Sequence, residues 1–345
     1  MRKLSIVLYG LLLLSACTDR DEVRKIPNID DITATVAIER LEETLIAQPT
    51  PESLSAWLEQ NPILRDQLLG RENYVDPRSG MIDSAAFVED LFATISHPTF
   101  QDTLYAEAAA EFANMDDIKF NLELAFRRLK AYDPDFVQPK VQTIVSAFTR
   151  DIFVSDSLWV ISIDCYIGSD ASYRPTGPGY QPLPGYLMRR YQREYIVPML
   201  LKSYALKYIA TDVTPNANSL LADMLGYGKT YEFTKSVLPE LPDSLIIRYS
   251  GEELAGVEAN EAFLWGHFIQ NELLFEKNPG VISSYLDEAP NVPAISTKCP
   301  GRIGRWLGWQ IVKEYRRKHP ETTLVEIMEH ASAQAMLEGA RYKPE

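Results

Sequence analysis

The apolar positions along the chain follow two periods. Leu158-Trp159-Val160-Ile161-Ser162-Ile163-Asp164 is an almost continuous apolar run, the mark of a strand covered on both faces. Val141 to Phe148 predicts a second strand. Ile32-Thr33-Ala34-Thr35-Val36-Ala37-Ile38 alternates in part and predicts a short strand running into a helical stretch from Glu39 to Ile46. Thr50-Pro51-Glu52 opens another helix, with proline at a first-turn position. From Ser84 to Tyr132 the period is helical, with Phe87, Leu91, Phe112, Leu122, Leu124, Phe126 and Leu129 as expected core, and Pro134 and Pro139 then punctuate it. After Gly185 helices are predicted over 187–210, 216–234, 252–275, 301–318 and 322–338, with a short strand or extended segment at Ser244–Tyr249. Between the strands and these helices lies RPTGPGYQPLPGY, residues 174–186, either a solvent loop or the cover of a cleft. The sum is an α+β fold, mostly helical with a small mixed β-sheet. No internal repeat recurs, which argues against a solenoid.

The N-terminus adds an address. Arg2 and Lys3 precede an apolar run from Leu4 to Leu14, followed by Ser15, Ala16 and Cys17. That run is too short for a bilayer span, which needs about 20 apolar residues, and it fits a secretory signal peptide. Leu14-Ser15-Ala16-Cys17 resembles a bacterial lipobox, in which the cysteine becomes the acylated first residue of the mature chain. Two or more acyl chains, palmitate among them, give stable anchoring. The expected layout is a signal peptide over 1–16, a lipidated tether over 17–30 and one α+β domain over 31–345. Thr18 after the cysteine gives no inner-membrane retention signal, which points to an outer-membrane lipoprotein. The acidic run Asp19-Arg20-Asp21-Glu22 resembles, in some bacteria, a surface-export signal, so the leaflet stays open.

Charge narrows the partners. The 345 residues carry a formal net charge of −14, which argues against nucleic acid, since phosphate binding rests on clustered Lys and Arg. Cys165 and Cys299 are either bridged, as an oxidising compartment permits, or buried and free. Neither has a His or Cys neighbour at metal-ligand spacing. His97, His267, His319 and His330 are scattered, and no H-E-x-x-H, G-x-S-x-G or P-loop occurs. No metal, cofactor or catalytic residue is therefore assigned. Asp164, at a strand end, caps a neighbouring backbone or serves as a general acid or base.

Two helices carry the remaining candidates. Glu261 lies on the face of Val257, Leu264 and Phe268, where an ionised carboxylate needs a partner. In CPGRIGRWLGWQIVKEY, residues 299–315, Ile303, Leu307, Ile311 and Tyr315 form an apolar stripe beside Gly304 and Gly308. Two small residues four apart let another backbone approach closely. Trp306 and Trp309 point toward the sector of Arg302, Arg305 and Lys313, and Pro300 and Arg302 fall in the expected first turn. Either the tryptophans pack under another layer while Arg302 pairs with Glu261 or another buried acid, or the band lines a cleft for an acidic ligand or partner.

Several of these segments occur together in one family. The lipobox, Ile163-Asp164-Cys165-Tyr166-Ile167-Gly168, Gly228-Lys229-Thr230-Tyr231, Leu238-Pro239, Asn260-Glu261 with Trp265, Glu272-Leu273-Leu274-Phe275 and Pro300-Gly301-Arg302-Ile303-Gly304-Arg305-Trp306-Leu307-Gly308-Trp309 appear in order. In this the chain resembles the GldB family of gliding-motility lipoproteins. The resemblance implies a membrane-anchored, periplasm-facing protein needed for movement over surfaces, with an envelope protein of the gliding machinery as partner. More distantly, the chain looks like a family of predicted zinc peptidases, implying a helical part over 31–135 and a zincin-like part over 136–345. In those enzymes the helix before the Asn-Glu helix carries H-E-x-x-H. The corresponding Leu220 to Tyr231 has no histidine, so Glu261 would stand as a third zinc ligand without the first two. A metal-free, non-catalytic relative is expected, with Asp164, Lys229, Asn260, Glu261, Arg302, Trp306 and Trp309 as its binding cleft. The alternative is a zincin-like metal-dependent hydrolase acting on peptides or cell wall.

Overall fold

The computed structural model describes residues 25–173, 183–214 and 216–345; Cys17 and most of the Pro/Gly-rich loop lie outside them. Four strands, β1 (Ile38–Arg40), β2 (Lys140–Ile144), β3 (Ile152–Val154) and β4 (Leu158–Ser162), form one sheet in the order β1-β2-β4-β3. β1 and β4 run parallel to β2, while β3 pairs antiparallel with β4 as an edge hairpin. The mixed sheet in a mostly helical chain is the α+β architecture expected.

The helices α1 (Leu41–Ile46), α2 (Pro51–Gln60), α3 (Pro62–Gln67), α4 (Ser84–Ser96), α5 (Ala106–Glu111) and α6 (Asp116–Tyr132) lie between β1 and β2. Leu45, Leu54, Leu58, Leu64 and Phe87 bury one face of the sheet at Ile144 and Val160. Leu122, Phe126 and Leu129 of α6 cover the other at Val141, Trp159 and Ile161. The apolar run of β4 is thus buried on both sides, which is why it lacks alternation. Of the expected core of this half, Leu91 and Leu124 are only half-buried. Thr50 caps α2, accepting from the backbone N–H of Ser53 at 3.2 Å, with Pro51 at the first helical position.

Beyond β4 come α7 (Gly185–Met188), α8 (Ile196–Ala205), α9 (Leu220–Val237), α10 (Asp243–Ile247), α11 (Gly251–Ala259), α12 (Glu261–Gln270), α13 (Pro279–Leu286), α14 (Ile303–Lys318), α15 (Leu324–Glu329) and α16 (Ala333–Ala340). α9 and α14 are the axis of this half. A Cβ on Gly308 would lie 2.0 Å from the Met224 carbonyl oxygen, and one on Gly228 would lie 2.5 Å from the Gly308 carbonyl carbon. Here the two backbones touch, and that contact offsets the roughly 1 kcal/mol that each helical glycine costs relative to alanine.

Several expectations need correction. The residues before Ile38 are not a strand. They form an arm along α6, where Arg127 donates to the carbonyls of Ile29 and Ile32, Lys130 donates to that of Thr33, and Glu123 accepts from Val36 N–H. β2 stops at Ile144 because Ala147 and Phe148 adopt positive φ, 53° and 61°. Ser244–Tyr249 is mostly helical rather than extended. The helix expected over 252–275 breaks at Asn260, and the one over 322–338 breaks before Ser332, whose side chain caps α16. The segment 187–210 is likewise divided among short helical pieces. α14 starts at Ile303, so Pro300 precedes it and Arg302 is its N-cap, in the left-handed region at φ 65°.

Candidate functional site

Of the two readings of the tryptophan band, the structure gives the one in which another layer covers it: Trp306 and Trp309 are both buried, because α14 is enclosed on every side from Ile303 to Val312. Trp309 Nε1 donates to Glu232 of α9 at 3.0 Å, and Arg316 pairs with the same carboxylate at 2.8 Å. Arg302 does not pair with Glu261. Its guanidinium donates to the carbonyls of Ile247 and Arg248 at 2.8 and 2.9 Å. Glu261, half-buried, accepts from Tyr342 Oη at 2.6 Å, and Asn260 is exposed on a separate cleft with Phe263 and Cys299. Asp164 accepts from the N–H groups of Ser146 and Phe148 at 3.0 and 2.8 Å, bracing the left-handed pair after β2. Burial raises its pKa to about 6 against those hydrogen bonds. Of the two strand-end readings, the geometry favours the cap. Cys165 and Cys299 are both buried and free. The seven predicted residues therefore form no single cleft.

What the fold does assemble is a cationic and aromatic cluster where α8, α9 and α14 meet. Arg305 lies over the Tyr227 ring, 3.9 Å from its centroid, and the Lys202 ammonium is 5.4 Å from Tyr227 and 5.2 Å from Tyr231. Arg302 stacks over Tyr249 at 5.3 Å and Arg190 over Tyr191 at 4.7 Å. Such pairs contribute about 0.5–2 kcal/mol each. Glu288 is ion-paired among these charges, reaching Arg248 at 2.7 Å and Arg190 at 3.3 Å, and Asp151 acts on Arg190 from farther off. Asp287, exposed, approaches Arg305 only to 3.8 Å. Arg190, Lys202, Arg248, Arg302 and Arg305 thus outnumber the carboxylates facing them.

The excess charge acts on the titrating groups. Burial alone would raise the Tyr231 phenol, but Lys202, Arg305, Arg248 and Arg302 together pull it down to about 8. Lys202 is held down to about 8, first by desolvation and then by the arginines, against the opposing pull of Tyr231. Lys202 and Tyr227 also line an open cleft of about 560 Å³, with Lys229, Asp212, Asp223 and His330 around it. Lys229 donates to the carbonyls of Met328 and His330 at 3.3 and 2.5 Å. Of the predicted residues, Lys229 and Arg302 alone fall at this cleft or the cluster behind it.

A family model described as gliding motility protein GldB matches residues 22–344, nearly the whole chain. The chain belongs to the GldB family. Its role is accordingly in gliding motility. Comparison with curated proteins and with solved structures gives no match. No helix among the described residues is long and apolar enough to cross a membrane.

Lys202, Tyr227, Tyr231, Arg248 and Glu288 were missed by motif reasoning. One signal for two of them exists. Tyr227 and Tyr231 stand at i and i+4 on α9, the spacing that H-E-x-x-H gives its two histidines. The donors here do not fit a zinc ion, because phenols among guanidinium groups favour an anion. Among the described residues, no group of three or more His, Cys, Asp or Glu side chains could hold a metal ion.

Proposed function

We propose that this GldB-family protein is a lipid-anchored, periplasm-facing lipoprotein of the outer membrane that binds a component of the gliding machinery and catalyses no reaction. The observation that carries the binding role is the cluster on α9 and α14. Tyr227 and Tyr231 occupy the spacing at which a zinc hydrolase places its histidines, and they are met by Lys202 and Arg305. That chemistry repels a divalent cation and attracts an anion, so it supports gripping rather than metal-assisted hydrolysis. Anchoring is supported by the Leu14-Ser15-Ala16-Cys17 signature. The arm pinned along α6 includes Lys25, whose carbonyl accepts from Tyr132 Oη at 3.5 Å.

The test is a Cys17→Ser strain, followed by fractionation and by spreading on a surface. The substituted protein is expected in the soluble fraction, with spreading lost. Unchanged membrane association would overturn the anchor, and stoichiometric zinc in the purified wild-type protein would overturn the non-catalytic reading.

A further inference from the structure

The polar groups behind the α8–α9 cleft are unbalanced. Tyr231 Oη is fully buried and has no hydrogen-bond partner among the described residues, and the Nε atoms of Arg305 and Arg190 are likewise buried and unpartnered among them. Such a group has lost its water and gained nothing in exchange, and the loss is greater when it is charged. Arg302 and Arg248 have spent donors on the Ile247, Arg248 and Glu288 oxygens, so they contribute field rather than free N–H groups. Lys202 and Arg305 flank the Tyr227 ring, and among the described residues no acid is ion-paired with Arg305 more closely than Asp287 at 3.8 Å. A hydroxyl, an ammonium and a guanidinium edge are therefore left as donors inside a positive field, in a chain whose net charge is −14.

We infer that Tyr231, Lys202 and Arg305 form a binding site for a compact oxyanion, a carboxylate or a phosphate group, entered from the cleft lined by Lys202 and Tyr227. An oxyanion accepts from all three donors and neutralises the surplus charge. Charge-assisted bonds of this kind are about twice as strong as neutral ones. A halide lacks the separate oxygens to meet donors on three elements, so the site discriminates by geometry as well as by charge. The acids that share the cleft, Asp212 and Asp223, lie on its wall with Lys229 and His330, and the two aspartates disfavour large polyanions.

This inference names the ligand class for the gripping surface of the proposed function and rests on that reading. Its test is independent of motility. The full chain in detergent is melted in chloride, phosphate or acetate at matched ionic strength, beside Tyr231→Phe and Lys202→Gln. Phosphate, acetate or both are expected to raise the wild-type melting temperature by a few degrees over chloride. The response of either variant should be weakened about tenfold in affinity, the worth of one hydrogen bond to a charged group. The oxyanion should also move the titration of the Tyr231 phenol, pulled down to about 8 by the surrounding cations, to higher pH in wild type, because it cancels the field that favours the phenolate. A rise with phosphate alone assigns a tetrahedral anion, and a rise with acetate assigns a carboxylate. No rise with either, or an equal rise in both variants, overturns the site. Loss of binding here would leave the Cys17 anchor standing, just as failure of the anchor would leave binding intact.

Discussion

α9 and α14 hold two neighbouring polar clusters, which meet at the consecutive residues Tyr231 and Glu232 of α9, and the two are built on opposite terms. At the C-terminal end of α9, Glu232 takes Trp309 Nε1 and Arg316, and Arg316 also reaches Ser236 Oγ at 2.5 Å. Each of those polar groups has a partner, and one carboxylate answers one guanidinium. Toward the N-terminal end of α14, Tyr231, Lys202 and Arg305 share a positive field with unpartnered atoms. The rings of Tyr231 and Trp309, 5.6 Å apart, separate the two. Side by side, they distinguish a polar cluster that fixes how helices pack from one whose pairing is left for a ligand. A closed pair stabilises its own geometry, whereas an open one costs stability that binding can recover.

The largest loss of stability is expected at the closed pair. Glu232→Ala leaves Arg316 buried without its acid and should cost about 3–5 kcal/mol, read as a fall in the denaturant midpoint. A loss below about 1 kcal/mol would show that the pair is not desolvated as described. Next in size is Gly308→Ala. Its Cβ meets backbone rather than a flexible side chain, and forcing the helices apart should cost about 1–3 kcal/mol, disturbing both clusters together.

The smallest effect has the opposite sign. Lys202→Gln removes one of several like charges, so at pH 7 the variant should be as stable as wild type or up to about 1 kcal/mol more stable. The pH dependence follows from the depressed pKa. While Lys202 is charged, below about 8, it disfavours the folded state. As pH rises from there toward the unfolded lysine value of about 10.4, the folded protein has lost the proton that the unfolded chain still binds. Wild type then gains stability, and the advantage of the variant should vanish. Melting curves across that window check it. A variant that is strongly destabilised at pH 7 would place Lys202 with the closed type of cluster.

Much of this protein was determined by sequence alone. The apolar run at Leu158–Ile161 specifies a strand buried on both faces, because it has no alternating polar positions to face water. Thr50-Pro51 specifies a helix start through local hydrogen bonding, and glycines in α14 specify a close backbone neighbour. The family was legible too, since its motifs lie in order along the chain. Partners across the fold were not. Glu261 shares a helical face with apolar residues whether its neighbour is Arg302 or Tyr342, and periodicity carries no information about which. The breaks at Asn260 and before Ser332 depend on packing and capping that no hydrophobic period records. Only tertiary structure brought Lys202, Tyr231 and Arg305 together from three helices, because an electrostatic field adds over distance in space while sequence orders residues along one dimension.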